Sequence, residues 1–376
     1  MANRLSHSSV NKFSLCGKSY EYHYVKRIRP SVTSGALLFG DALDKAVNAL
    51  LMKTDESPEV VFERTFTQGK INDVFTYIPT SVKIVYSNAD FDSDLLTQAD
   101  YSSIKEQTEK GELPGYTNHL EIYKELKDKK QDKGFDSLSF DQKKFYNYMN
   151  WLSMRRKGFL MLDAYRKKVL PKIEKVHEVQ VAISLDNENG DSIIGYVDLV
   201  ADIKGVGTVI LDNKTSASEY KEDSVLTSPQ LSLYVHALEE KYKTRKAGYI
   251  VMRKSIIKNR KKVCSVCGFD GSGARHKTCS NEIEGKRCGG EWTETLDPDV
   301  YIQFITDEIP EKTEAIVLEN YDLINRAINT GIFTRNLNSC TNFFGGLCPY
   351  FSLCYHDKMN NLTDLNKKDI DNTDSI

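Results

Sequence analysis

Apolar side chains recur every three or four positions through SHSSVNKFSLCGKSYEYHYV, at Val10, Phe13, Cys16, Tyr20 and Tyr24, behind a serine cap. That spacing predicts one amphipathic helix. A loop through Pro30 and Gly35 should follow, then a second helix over about 37–52 with Leu43, Val47, Leu50 and Leu51 on its apolar side. Residues 54–170 are richer in charge and tyrosine and read as mostly helical, with a polar loop near 127–134. KFYNYMNWLSMRRKGFLMLDAYRKKVL is a long amphipathic run that ends at Pro171. The region as a whole suggests a helical insertion or lid.

The period then changes to two. Val179, Val181, Ile183 and Leu185 alternate, which predicts a strand with these four on one face. SIIGYVDLVADI and TVILDNKTS, separated by KGVG, continue it as an antiparallel meander. Ser228 and Pro229 open a helix, QLSLYVHALEEKY, with proline at its favoured first position. AGYIVMRK reads as a fourth strand, and DPDVYIQFITDEIPEKTEAIVLENYDLINRAI as helix. The organisation expected is N-terminal helices of the core over 1–53, the insertion over 54–170, the core over 171–262, a cysteine-rich module over 263–292, C-terminal helices and cysteines over 293–358, and a disordered polar tail over 359–376.

Composition narrows the class. The 376 residues carry a net charge of only −2, so any nucleic-acid surface must be local. The first residues lack the apolar segment of a secretory signal, and no apolar run reaches membrane-spanning length. A soluble cytoplasmic protein with no membrane partner is expected. Eight cysteines in such a protein point away from disulfides. They divide into Cys264, Cys267, Cys279 and Cys288, and a wider set of Cys16, Cys340, Cys348 and Cys354, which suggests two metal sites.

Asp198, Asp212 and Lys214 are the candidate chemistry. Side chains alternate along a strand, so Asp212 and Lys214 share a face, about 7 Å apart. A carboxylate there can hold a divalent ion while the ammonium faces water or phosphate, which is what phosphodiester hydrolysis needs. Asp198 lies within YVDLV, where a charge is costly unless paired or metal-bound. Whether it meets Asp212 depends on the turn. An even loop pairs Asp198 with Asn213, whereas an odd loop centred on Gly205, or a bulge, pairs it with Asp212. The odd loop or the bulge is predicted, and Gly195 is read as a bend or close approach.

GYVD (residues 195–198), DNK (212–214) and QLSLY (230–234), in this order, resemble the motifs of the PD-(D/E)xK nuclease superfamily, in its RecB-like branch. The resemblance implies an α/β, restriction-endonuclease-like core: a mixed sheet flanked by helices. It implies that Asp198 and Asp212 bind Mg²⁺ or Mn²⁺, with Asn213 in the same shell, and that Lys214 positions the nucleophile. Gln230 and Tyr234 share a helical face and would contact DNA or the groups behind the metal. The family carries a metal-binding histidine in a stretch like FGxxxH; here FGDALDK places Asp44 at that position. A carboxylate can replace imidazole on a hard cation. Asp41 is a weaker candidate, and Glu178 a possible extra ligand.

CSVCG is a zinc-knuckle turn, and Cys264, Cys267, Cys279 and Cys288 supply the four ligands of a structural zinc, with His276 as an alternate. The module is too short and glycine-rich to hold itself without metal. The neighbouring RKSIIKNRKK could track phosphates or be a solvated basic face. The other four cysteines resemble the set that holds a [4Fe–4S] cluster in iron–sulphur members of the same branch. Zinc is the alternative there. The resulting expectation is a metal-dependent DNA exonuclease acting on ends or single strands. The alternative is a non-catalytic DNA-binding or assembly subunit, for which Asp44 in the histidine position speaks. No GxxxxGK[ST] loop is present, so helicase action would come from a recombination partner.

Overall fold

The computed structural model describes residues 4–66, 83–85, 92–110, 140–186, 191–341 and 346–366. The polar loop expected over 127–134 and the end of the tail lie outside these residues. Helices α1 (His7–Leu15), α2 (Gly17–Tyr20), α3 (Gly35–Met52), α4 (Pro58–Phe66), α5 (Gln98–Glu109) and α6 (Phe140–Lys168) precede most of the sheet. Helices α7 (Pro229–Tyr242), α8 (Glu311–Asn329) and α9 (Phe351–His356) follow or interrupt it. The sheet contains β1 (Arg4–Leu5), β5 (Ile173–Asp186), β6 (Ser192–Ile203), β7 (Gly207–Ser216), β8 (Lys246–Cys264) and β11 (Trp292–Glu308). Short pairs β2 (Ile28–Pro30) with β12 (Leu362–Asp364), β3 (Val32–Ser34) with β4 (Lys83–Val85), and β9 (Glu282–Ile283) with β10 (Lys286–Arg287) lie outside it.

β5, β6 and β7 form the expected antiparallel meander, β7 runs parallel to β8, and β8 is antiparallel to β11. Apolar residues emerge on both faces because both are covered. Leu199, Ala201, Leu211 and Ile250 pack with α3, α4 and α6; Val197, Val200, Ile210 and Val251 pack with α7 and α8. This mixed sheet between helical layers is consistent with a restriction-endonuclease-like core. No helix among the described residues is long and apolar enough to cross a membrane.

β6 has three neighbours. β5 covers one edge from Ser192 to Ile203, so β1 and β7 share the other. β1 pairs with residues 192–193 and β7 with residues 199–203. Between them β6 and β7 diverge, and Asp198 stands at that fork. The turn joining β6 to β7 is the odd loop centred on Gly205. Val206 N–H closes it on Ile203 O at 2.9 Å, and Gly205 takes φ +72°, a conformation open to glycine. The pairs Ile203↔Gly207 through Leu199↔Leu211 then bring Asp198 opposite Asp212.

Several elements depart from the periodicity. The single helix expected from Val10 to Tyr24 breaks at Cys16, which is extended (φ −166°, ψ 111°). The Leu15 carbonyl freed by the break accepts from Asn336 Nδ2 (2.9 Å) and Ser339 Oγ (2.7 Å), so the C-terminal segment compensates it. The four valine, isoleucine and leucine positions of β5 do not share one face. Gln180 has φ +54° and switches the alternation, so Val179 packs with the α3–α6 layer while Val181 and Ile183 pack with α7 and α8. Residues 297–308, expected as helix, belong to strand β11; only after Pro310 does α8 begin. Long helix α6 packs on the sheet and buries Tyr165 completely. Residues 362–364, expected disordered, pair with β2.

Candidate metal centre

Side chains from five elements, α3, β5, β6, β7 and α7, meet at the fork. Asp44 projects from α3, whose first turn is capped by Ser34 Oγ accepting from Ala36 N–H at 3.2 Å. Its Oδ2 accepts from Asn48 Nδ2, one turn on, at 3.1 Å and from Gln180 Nε2 at 3.5 Å. Its Oδ1 is buried with no hydrogen-bond partner among the described residues. Asp198 Oδ1 accepts from the same Gln180 amide at 3.3 Å. Asp198 Oδ2 accepts the backbone N–H of Asn213 at 2.7 Å, in the slot where a ladder bond between β6 and β7 would otherwise run.

Asp212, 1% exposed, lies 2.6 Å from Lys214 Nζ through Oδ2. Its Oδ1 accepts from Gln230 Nε2 at 2.9 Å, and Gln230 Oε1 accepts from Lys214 Nζ at 3.1 Å. Gln230 thus holds both members of the ion pair with the two ends of one amide. Tyr234, a turn further along α7, touches Gln230 at 2.6 Å; it is 4% exposed and stands behind the amide. α7 is aimed by its start: Ser228 Oγ accepts Leu231 N–H at 3.1 Å and meets Tyr249 OH at 2.5 Å, with Pro229 next. Asn213 points its side chain to the opposite face, where Tyr165 OH donates to Oδ1 at 3.3 Å.

Burial and mutual repulsion act on the acids together. Burial, then the Asp212 and Asp44 carboxylates, raise Asp198 to about 8. Burial, then Asp212, raise Asp44 to about 6. Burial also pushes Asp212 upward against the pull of Lys214. For Lys214 burial pulls downward, but the neighbouring Asp212 leaves its ammonium net stabilised. Three carboxylates therefore face one ammonium in a desolvated place, and among the described residues Asp44 Oδ1 has no donor and Asp212 Oδ2 faces only the Lys214 ammonium. That donor set fits a hard divalent cation. The carboxylates do not close to within 4.8 Å of one another as four thiols of the cysteine-rich module do; the Gln180 amide stands between Asp44 and Asp198. A cavity of about 460 Å³ opens beside them, lined by Ala36, Gly40, Asp44, Lys214, Thr215 and Lys254.

Other candidates lie elsewhere. Asp41 is exposed and paired with Lys45 at 2.7 Å, and Glu178 is paired with Lys241. Gln180, Asn48 and Tyr165 were missed by sequence reasoning. Gln180 left one signal, a polar residue inside an alternating apolar run, and Asn48 another, its four-residue spacing from Asp44. Tyr165 left none.

The hairpin of β8 and β11 runs on beyond the sheet and carries the cysteine-rich module at its tip, where Cys264 pairs with Trp292. The sulphurs of Cys264, Cys267, Cys279 and Cys288 converge within 4.8 Å. Cys264 and Cys288 lie 3.5 Å apart, and Cys267 and Cys279 3.7 Å apart. Backbone N–H groups, that of Cys267 first, lower the Cys264 thiol to about 6. Gly290 has to be glycine, because a Cβ there would come within 2.6 Å of Cys264 Sγ. His276 stays outside the group; its carbonyl accepts from Trp292 Nε1. The basic run before the module is largely compensated. Lys258 pairs with Asp92 and Asp94, Arg260 with Asp94, Lys261 with Asp297, and Lys262 with Glu294.

Cys16, Cys340, Cys348 and Cys354 line one common cavity between α2 and the C-terminal segment. Cys348 N–H bonds Cys340 O at 2.8 Å, and Arg335 Nε donates to Cys354 Sγ at 3.2 Å. These thiols are not drawn within 4.8 Å of one another.

A family model of the PD-(D/E)XK nuclease superfamily matches residues 105–355. The match takes in Asp198, Asp212, Lys214, Gln230 and Tyr234 and leaves Asp44 and Cys16 outside. No curated protein matches the chain significantly.

Proposed function

Because the chain belongs to the PD-(D/E)XK nuclease superfamily, we propose that it is a divalent-metal-dependent nuclease of the RecB-like kind, cleaving DNA phosphodiester bonds as an exonuclease on ends or single strands. The observation that carries this reading is the network at the fork: Asp198, next after the Leu199↔Leu211 pair, bonded to the Asn213 N–H, and Asp212 tied to Lys214 both directly and through Gln230. Asp44, Asp198 and Asp212 would hold Mg²⁺ or Mn²⁺, with Asn213 beside them. When bound, the ion supplies charge neutralisation for the phosphate and a lowered pKa for attacking water. Lys214 faces the same pocket and orients the water and the phosphate oxygen. Gln230 fixes the Lys214 ammonium, and Tyr234 fixes Gln230. The unpartnered oxygen of Asp44 speaks for a working metal shell over a non-catalytic subunit.

The four convergent thiols support a structural zinc that closes the tip of the β8–β11 hairpin. The wider group supports a [4Fe–4S] cluster, since its four thiols line one cavity and such a cluster takes four thiolates. It would tie the break at Cys16 to the C-terminal segment. Cleavage of an end-labelled single strand in Mg²⁺ or Mn²⁺, lost in EDTA, tests the proposal; a metal-independent signal equal in wild type and Lys214→Ala would sink it.

A further inference from the structure

Helix α1 starts at the fork. β1 runs parallel to β6 and ends at Leu5 opposite Ile193, so the chain leaves β1 toward the gap where β6 and β7 part. His7 feels the Lys214 ammonium, which, after burial, lowers its imidazole. From there α1 extends about 14 Å and stops at Cys16. It therefore spans the distance from the acidic centre to the second cysteine group.

One face of α1 has no role in the core. Ser8, Asn11 and Leu15 are exposed and Lys12 half-buried. At spacings of three and four residues they share that face. Together with Asn338 and Leu347 of the C-terminal segment they line a cavity of about 540 Å³. The two walls meet at its base, where Asn336 Nδ2 and Ser339 Oγ reach Leu15 O. Hydroxyls, amides and an ammonium are donors of the kind that grip phosphate oxygens without reading sequence. Lys12 has no carboxylate partner among the described residues. Burial depresses its ammonium, and the Arg29 guanidinium adds to this, against an upward pull from the Cys348 thiol. An ammonium on the cleft wall without a carboxylate partner favours an anion. Leu15 (56% exposed) and Leu347 (60% exposed) stand on the same cleft and would meet the apolar faces of unpaired bases, which a duplex hides in its stack.

We propose that this cleft is a binding track for a single nucleic-acid strand, carrying its phosphodiester backbone along α1 between the acidic centre and the second cysteine group. The inference rests on the nuclease reading for its direction, but its test reads binding alone. Full-length protein in EDTA is titrated into fluorescein-labelled oligothymidylate and followed by anisotropy at several salt concentrations. Lys12→Glu and Lys12→Gln should each weaken binding, the former by about tenfold, and reduce the salt slope by about one. Asn338→Asp should weaken it independently. A duplex of equal length should bind less tightly and lose nothing on Lys12→Gln. Affinity within twofold of wild type for Lys12→Glu overturns the track, as does a Lys12→Gln protein that loses only its iron or zinc content. Cleavage by wild type in Mg²⁺ is scored alongside. Absent cleavage with Lys12-dependent affinity retires the nuclease reading and keeps the track; intact cleavage with unchanged affinities retires the track alone.

Discussion

Replacing Asp44 by asparagine removes one of three acidic groups crowded at the fork while leaving an oxygen to accept from Asn48 Nδ2. Burial, and after it the Asp212 carboxylate, raise Asp44 from 3.8 to about 6. A carboxyl whose pKa is higher folded than unfolded contributes its full stability below the unfolded value and loses it as pH rises through the folded one. At 1.36 kcal/mol per unit, ionised Asp44 costs about 1.5 kcal/mol at pH 5. Above pH 6 the cost levels off at about 3 kcal/mol. The assay is urea unfolding of wild type and Asp44→Asn in EDTA from pH 5 to pH 8. The variant should be the more stable, by a margin that doubles across this range. Saturating Mg²⁺ or Mn²⁺ should reverse the order, since a ligand at a thousand times its Kd adds about 4.1 kcal/mol to the protein with the complete shell. A margin that is flat or shrinks with rising pH, or a variant less stable than wild type in EDTA, would refute the reasoning.

Gln230→Ala should lower kcat by about tenfold or more with little change in strand binding, because the Lys214 ammonium loses its second anchor; equal kcat would show that Asp212 alone positions the lysine. Cys267→Ser should release one zinc per chain, measured by mass spectrometry under native conditions, and make the tip of the β8–β11 hairpin protease-sensitive while the sheet survives; an intact zinc count would contradict the assignment. Cys348→Ser should abolish absorbance near 400 nm in anaerobically purified protein, a colour expected of wild type with a [4Fe–4S] cluster and absent if that group binds zinc.

The acidic fork was legible because its constraints are local. A glycine-centred turn sets the register between β6 and β7, and the register brings Asp198 to Asp212. The capped start of α7 was legible for the same reason, since Ser228 and Pro229 act within one turn. Strand β11 was not. With both faces covered, Val300, Phe304 and Ile305 carry apolar side chains to opposite layers, and the resulting run satisfies a helical spacing as well as a strand's. The break at Cys16 depends on Asn336 and Ser339, more than three hundred residues away, and no periodicity reports such a contact. Gln180 was hidden because its left-handed backbone breaks the alternation that sequence reading assumes. The basic run after Arg253 read equally as a phosphate track or a solvated face, and only the strand pairing shows Asp297 and Glu294 beside it.

The central claim, that the fork at Asp198 and Asp212 cleaves phosphodiesters with Lys214, is tested most directly by end-labelled single-stranded and duplex DNA incubated with wild type and Lys214→Ala. The account predicts cleavage by wild type in Mg²⁺ or Mn²⁺, none in EDTA, and a loss of about a hundredfold or more in Lys214→Ala. Cleavage by the variant at the wild-type rate, or no metal-dependent cleavage by wild type on either substrate, would contradict it.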